Sequence, residues 1–137
     1  MFKPKKTKYK KYQKGRLKSN SCSLLHLTFG CYGLKSLESG RITSWQIESL
    51  RQNINRKIKK SGKIWINIFP DIPITSKPSE IRMGKGKGNV DYWIAKVSPG
   101  QILFEVIGRD SQYSNLIVDA LKSGSNKLPV KTLIVRR

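Results

Sequence analysis

The order of periodicities along this chain of 137 residues predicts an α+β fold, with two helices packed on a mostly antiparallel sheet. Three observations carry that expectation. Two segments repeat apolar residues at spacings of three and four, and short segments alternating with the period of a strand flank them. Among the strands lies a proline-punctuated stretch, residues 70–91, that has little periodicity and reads as a long protruding loop. The first 21 residues hold too few apolar groups to offset the entropy of ordering them, so a single domain, 22–137, is expected behind a basic arm, 1–21.

The elements follow in order. Leu25, Leu27 and Phe29 alternate with His26 and Thr28, and Tyr32 to Leu37 continues after Gly30, which reads as two short strands or one bent strand. Thr43-Ser44-Trp45-Gln46 is a capping-box pattern, in which a hydroxyl and an amide side chain satisfy each other's backbone N–H groups. Ile47, Leu50, Ile54 and Ile58 then form one apolar stripe, and Gly62 suits the left-handed residue that closes such a helix. From Lys63 to Phe69 both faces carry apolar bulk, so this strand is expected to be largely buried and to end at Pro70. Tyr92 to Val97 and Gln101 to Ile107, joined by Pro99-Gly100, read as a hairpin. A second helix, about Ser111 to Ser123, should bury Tyr113, Leu116, Ile117, Ala120 and Leu121 and end at Gly124, after which Val130 to Val135 closes the chain as a strand. Trp65 and Trp93 lie in apolar strands and read as core, although each, like Trp45, has a ring that a base can stack on.

Charge narrows the function. Twenty-eight Lys and Arg face eight Asp and Glu, a formal net charge of +20, far more than solubility requires. A chain so charged repels itself until a polyanion neutralises it. No apolar run reaches the length of a spanning helix, so nucleic acid is the expected partner and membrane insertion is not. The surplus is concentrated at the start, where residues 1–18 carry eight Lys and Arg16 before the first acid, Glu38. That arm is lysine-rich, whereas targeting peptides favour arginine and serine, and it is expected to order only on its partner.

Catalysis and metal binding find little support. Cys22, Cys31 and His26 are the only soft ligands, without a CxxC pair, and no paired carboxylates accompany a Ser or Cys nucleophile. No enzyme, metal, cofactor or small-molecule substrate is expected. By contrast, Arg82-Met83-Gly84-Lys85-Gly86-Lys87-Gly88-Asn89 alternates cations with glycine and contains no acid. Glycine allows positive φ and bares the N–H groups, a chemistry suited to phosphate. The run does not open an apolar helix and no P-loop Gly-Lys-Ser or Gly-Lys-Thr exists, which argues against a nucleotide site and leaves a nucleic-acid contact or a plain solvated loop.

Several motifs are together characteristic. Pro4-Lys5-Lys6-Thr7-Lys8-Tyr9, Lys14-Gly15-Arg16, Tyr32-Gly33-Leu34-Lys35, Gly62-Lys63-Ile64-Trp65-Ile66, Phe69-Pro70-Asp71, Lys77-Pro78, Arg82 to Asn89 and Lys127-Leu128-Pro129 resemble the large-subunit ribosomal protein family L-sixteen of bacteria and organelles, akin to the eukaryotic L-ten-e. The resemblance spans nearly the whole chain and departs at Ser19 to Leu24 and at Gly108 to Asn126. It implies an α/β-hammerhead type of fold bound to large-subunit rRNA beside the central protuberance, near the tRNA acceptor arms and neighbouring ribosomal proteins. It further implies that the long loop points towards the peptidyl-transferase centre, and that Arg82 stands where some bacterial members are hydroxylated.

On these grounds Lys3, Lys5, Lys6, Lys8, Lys10, Lys11, Lys14, Arg16 and Lys18 of the arm, with Arg51, Arg56 and Lys60 of the first helix, are the expected rRNA contacts. Arg82, Met83, Gly84, Lys85, Gly86, Lys87 and Gly88 form the expected loop near tRNA and the peptidyl-transferase centre. A free RNA-binding or RNA-chaperone protein is the alternative. Fifteen Ile, seven Asn and only two Ala suggest an AT-rich coding genome. The family start aligns from residue 4, leaving no room for a presequence, so an organelle-made protein of the mitochondrial matrix is expected, with a plastid or an AT-rich bacterial cytoplasm as alternatives.

Overall fold

The computed structural model describes residues 2–11, 13–17, 26–59, 62–109 and 113–137. Along the chain these form β1 (Tyr32–Ser36), β2 (Gly40–Thr43), α1 (Ser44–Ile58), β3 (Gly62–Ile66), β4 (Ile72–Ser76), β5 (Asn89–Val97), β6 (Ile102–Gly108), α2 (Ser114–Ser125) and β7 (Thr132–Arg136). The fold is α+β, as the periodicities require.

The start of α1 is local chemistry. The Thr43 hydroxyl accepts the Gln46 N–H at 3.3 Å and the Gln46 side-chain oxygen accepts the Thr43 N–H at 2.9 Å, completing the capping box. Ile47, Leu50, Ile54 and Ile58 are all buried, so the stripe read from the spacing is the face that meets the core. At the other end it is Lys59, not Gly62, that takes a positive φ of 55°, and its N–H donates to the Asn55 carbonyl at 2.8 Å. Gly62 is already the first residue of β3.

Two antiparallel sheets replace the single one expected. One runs β3-β6-β1-β7 and the other β2-β5-β4. Pro99-Gly100 does turn the chain, but β5 and β6 do not form a hairpin. Ser36 in β1 captures the turn from both sides: its carbonyl accepts the Gly100 N–H at 2.7 Å and its N–H donates to the Gln101 carbonyl at 2.8 Å. β6 is thereby drawn to β1, while β5 stays between β2 and β4. A turn signal reports a reversal of the chain and not the partner that each flank will choose.

β4 and β5 pair from Ile72↔Ile94 to Ser76↔Asn89, which shortens the irregular stretch of 70–91 to residues 77–88. β3 is an edge strand with half-buried Ile64, Trp65 and Ile66, not the buried strand expected. Trp93 is likewise half-buried. Of the expected strand before β1, Leu25 lies outside the described residues and residues 27–31 form no strand.

α1 and α2 pack on one another and on the sheets around Leu34, Ile42, Leu103, Phe104, Val106, Ile117, Ala120 and Leu121. Gly124 is inside α2 and does not end it. A Cβ there would lie 2.3 Å from Cδ1 of the buried Leu50, so this glycine lets the two helices approach closely. Leu116 is 40% exposed, the one expected core residue of α2 that faces outward.

Candidate nucleic-acid interface

The arm has no helix or strand among its described residues, yet it is laid against the domain. Phe2 packs on the core. Further along, the Gly15 carbonyl accepts Nη2 of Arg41 at 3.0 Å, and a Cβ on Gly15 would stand 2.8 Å from Nζ of Lys96. Arg41 on β2 and Lys96 on β5 are register partners, so the arm crosses the second sheet over a pair of cations. Lys3, Lys5, Lys6, Lys8, Lys10, Lys14 and Arg16 remain exposed, with the Lys8 ammonium 5.5 Å from the Tyr9 ring centre; Lys18 lies outside the described residues.

The loop is set by its backbone. Gly84, Lys85 and Gly86 have φ of 87°, 53° and 93°, three successive residues in a region that L side chains disfavour by about 1–2 kcal/mol each. Two of the three are glycine, which enters it freely. The Lys77 ammonium donates to the Gly84 carbonyl across the loop. At the base, a Cβ on Gly88 would collide with the Ser76 carbonyl, so only glycine lets the two strands close there. Arg82, Met83, Lys85 and Lys87 are exposed at the surface, Met83 almost completely.

Arm and loop meet. Nζ of the half-buried Lys11 donates to the Lys87 carbonyl at 3.0 Å. The two acid-free segments therefore join end to side into one basic surface. The basic face of α1 is less uniform. Arg56 and Lys57 are exposed, and the Lys57 ammonium also donates to the Asp119 carbonyl at 3.4 Å. Arg51 is held by Glu48 at 2.7 Å, and that bond keeps the Glu48 carboxyl below its ordinary value and the guanidinium above its own. Arg56 is thus the more available of the two arginines, and Lys60 lies outside the described residues.

Sequence reasoning missed four cations and one acid that shape this surface. Arg41, Lys63, Lys77 and Lys96 lie in or beside strands, each without an adjacent cation, so no charge run singles them out. Glu105 had a signal: an acid inside the apolar run Ile102-Leu103-Phe104-Glu105-Val106 must be paired if that strand is buried. It is fully buried, and its Oε2 accepts the N–H groups of Thr28, Phe29 and Gly30 at 3.0, 2.7 and 2.8 Å, while Oε1 accepts Nδ2 of Asn67 at 2.6 Å. These three amides are turned inward to a side chain, which is why residues 28–30 do not join a strand. Burial pushes the Glu105 carboxyl up; the Gly30, Phe29, Asn67 and Thr28 donors outweigh it and leave the carboxyl below its ordinary value.

Two aromatic pairs stand at the surface. Phe29 stacks on Trp65 with ring centres 6.0 Å apart, and half-exposed Trp45 lies 5.7 Å from Tyr92. Cys31 and His26 are exposed, and among the described residues no three His, Cys, Asp or Glu side chains gather to hold a metal. No described helix is long and apolar enough to cross a membrane.

The family model described as "Ribosomal protein L16p/L10e" matches residues 4–135. Among curated proteins, the chain is 50% identical to the "Large ribosomal subunit protein uL16" of Bartonella bacilliformis over 137 residues, all of this chain and 98% of that protein. The protein of the same name from Bartonella henselae matches equally, at 50% identity over the same coverage. Similarity over the full length makes this chain a member of the ribosomal protein L16p/L10e family.

Proposed function

We propose that this chain, a structural constituent of the large ribosomal subunit and not an enzyme, binds large-subunit rRNA beside the central protuberance and presents its 77–88 loop towards the tRNA acceptor arms and the peptidyl-transferase centre. The arm cations and Arg56 neutralise rRNA phosphates. Arg82, Lys85 and Lys87 carry positive charge at the end of a loop whose backbone is already bent, so little ordering remains to be done on binding. Peptide-bond formation is left to RNA, and the protein contributes position and charge.

The observation that supports this most is the bond from Lys11 to the Lys87 carbonyl. It brings the arm against the loop at one point, so a single rRNA surface can engage both. The coding skew, fifteen Ile against two Ala, supports an organelle-encoded protein of the mitochondrial matrix, with a plastid or a bacterial cytoplasm as the alternatives that the bacterial relatives keep in view.

Sedimentation of a native extract through a sucrose gradient at high salt tests the reading. The chain is expected to travel with the large subunit. A loose binder would be stripped, because each phosphate contact adds about 0.7–0.9 to the slope of log affinity against log salt. Recovery only at the top of the gradient would mean a free RNA-binding protein.

A further inference from the structure

We infer that Phe29 and Trp65, with Lys63 beside them, form a docking platform for a single unstacked RNA base at the open edge of the first sheet. The inference rests on the rRNA-binding reading above and adds a site that lies in neither the arm nor the loop.

The geometry is built and not incidental. The rings lie within 17° of parallel with centres 6.0 Å apart, and the Lys63 ammonium sits 5.2 Å from the centre of the Trp65 ring. Phe29 nonetheless leaves 57% of its surface open. An exposed phenylalanine on a loop would ordinarily sample several positions. Here the N–H groups of Thr28, Phe29 and Gly30 are all held by the buried Glu105 carboxylate, and Glu105 is itself the register partner of Trp65 across β6 and β3. One carboxylate therefore ties the segment carrying the first ring to the strand carrying the second.

The chemistry selects the occupant. Lys63 beside the pair is exposed, and its charge, on a chain of net charge +20, complements a phosphate. A stacked ring pair, with Phe29 more than half exposed and a cation over the Trp65 ring, suits a base with its phosphate, since every base offers a π-face and stacking needs no particular sequence. Among the described strands β3 is the last of its sheet, so none of them lies against its outer side.

The test uses the full chain and two probes of equal length and charge, a short mixed-sequence single-stranded RNA and its abasic counterpart. Phe29→Leu should weaken binding of the RNA about tenfold and leave the abasic strand unchanged. Lys63→Gln, an exposed change, should weaken both probes alike and lower the salt slope by about 0.7. Thermal unfolding checks the fold of each variant; if Leu is not tolerated at position 29, Phe29→Met, whose side chain adapts to irregular space, carries the same expectation. Equal affinity of Phe29→Leu and the parent chain for RNA, or an equal loss on both probes, overturns the platform and leaves the exposed ring to a different partner class or a structural role. Failure of the unmodified chain to bind either probe would instead count against the rRNA reading itself.

Discussion

Oε2 of Glu105 accepts the N–H of Gly30 at 2.8 Å, from 75 positions away in the sequence and with no exposure of the carboxylate to solvent. A buried charge is tolerated when its hydrogen bonds are complete, and losing it leaves three inward-facing amides without a charged acceptor. Glu105→Gln should therefore cost about 2 kcal/mol and Glu105→Leu about 3–5 kcal/mol, measured by urea unfolding. An unchanged midpoint for Glu105→Leu would show that these bonds contribute nothing net.

The same residue sets a pH dependence. Its folded carboxyl is held below the ordinary value, so its contribution is present above the unfolded carboxylate range and is lost as pH falls through the folded value. Relative to Glu105→Gln, the parent chain should lose stability progressively below about pH 4.3, the unfolded glutamate value, with the gap closing in acid. A gap that stays constant from neutral pH to acid would contradict the assignment.

The loop should be separable from the fold. Arg82, Lys85 and Lys87 are exposed beyond the paired strands, so their joint replacement by Ala should move the thermal midpoint by no more than about 5 °C. Binding to large-subunit rRNA should lose up to roughly 2–3 from the slope of log affinity against log salt, and tRNA accommodation should slow. Normal translation by ribosomes carrying the triple variant would remove the loop from the proposed role.

Gly124 against Leu50 offers a packing test. Ala at 124 gains up to about 1 kcal/mol of helix propensity but places a methyl 2.3 Å from the buried Leu50 Cδ1, an overpacking cost of about 1–3 kcal/mol. Gly124→Ala should be destabilising by about 1 kcal/mol in the parent chain and stabilising in a Leu50→Ala background. Equal effects in the two backgrounds would disprove the contact.

The cap of α1 should behave locally. Thr43→Ala removes the acceptor for the Gln46 N–H and should cost about 1 kcal/mol, whereas Thr43→Ser should be near neutral in the same denaturation experiment.

Features governed by near neighbours were legible from the sequence. The capping box, the α1 stripe, the break at Gly100 and the glycine-lysine run each depend on residues within a few positions of one another, and each appears in the structure. The strand from 63 to 69 was misjudged because apolar residues on both faces look the same whether a strand is central or at an edge whose rings stack with a loop. The second helix was placed correctly in outline, but Leu116 faces outward and Gly124 packs where it was expected to terminate.

By itself, then, the sequence determined the helix and strand periods, the charge that calls for a polyanion, and the family motifs, since all three are properties of composition and short spacing. The tertiary structure decided what depends on distant pairing: that β5 and β6 part into different sheets, that Glu105 gathers the amides of residues 28–30, and that Lys11 meets Lys87. Each of those is a hydrogen bond or ladder between residues far apart in the chain. Backbone donors and carboxylates carry no local mark of the partner that will satisfy them; for Glu105 and the sheet strands burial, which forbids leaving them unpaired, makes the choice, and for Lys11 the path of the arm across the domain does.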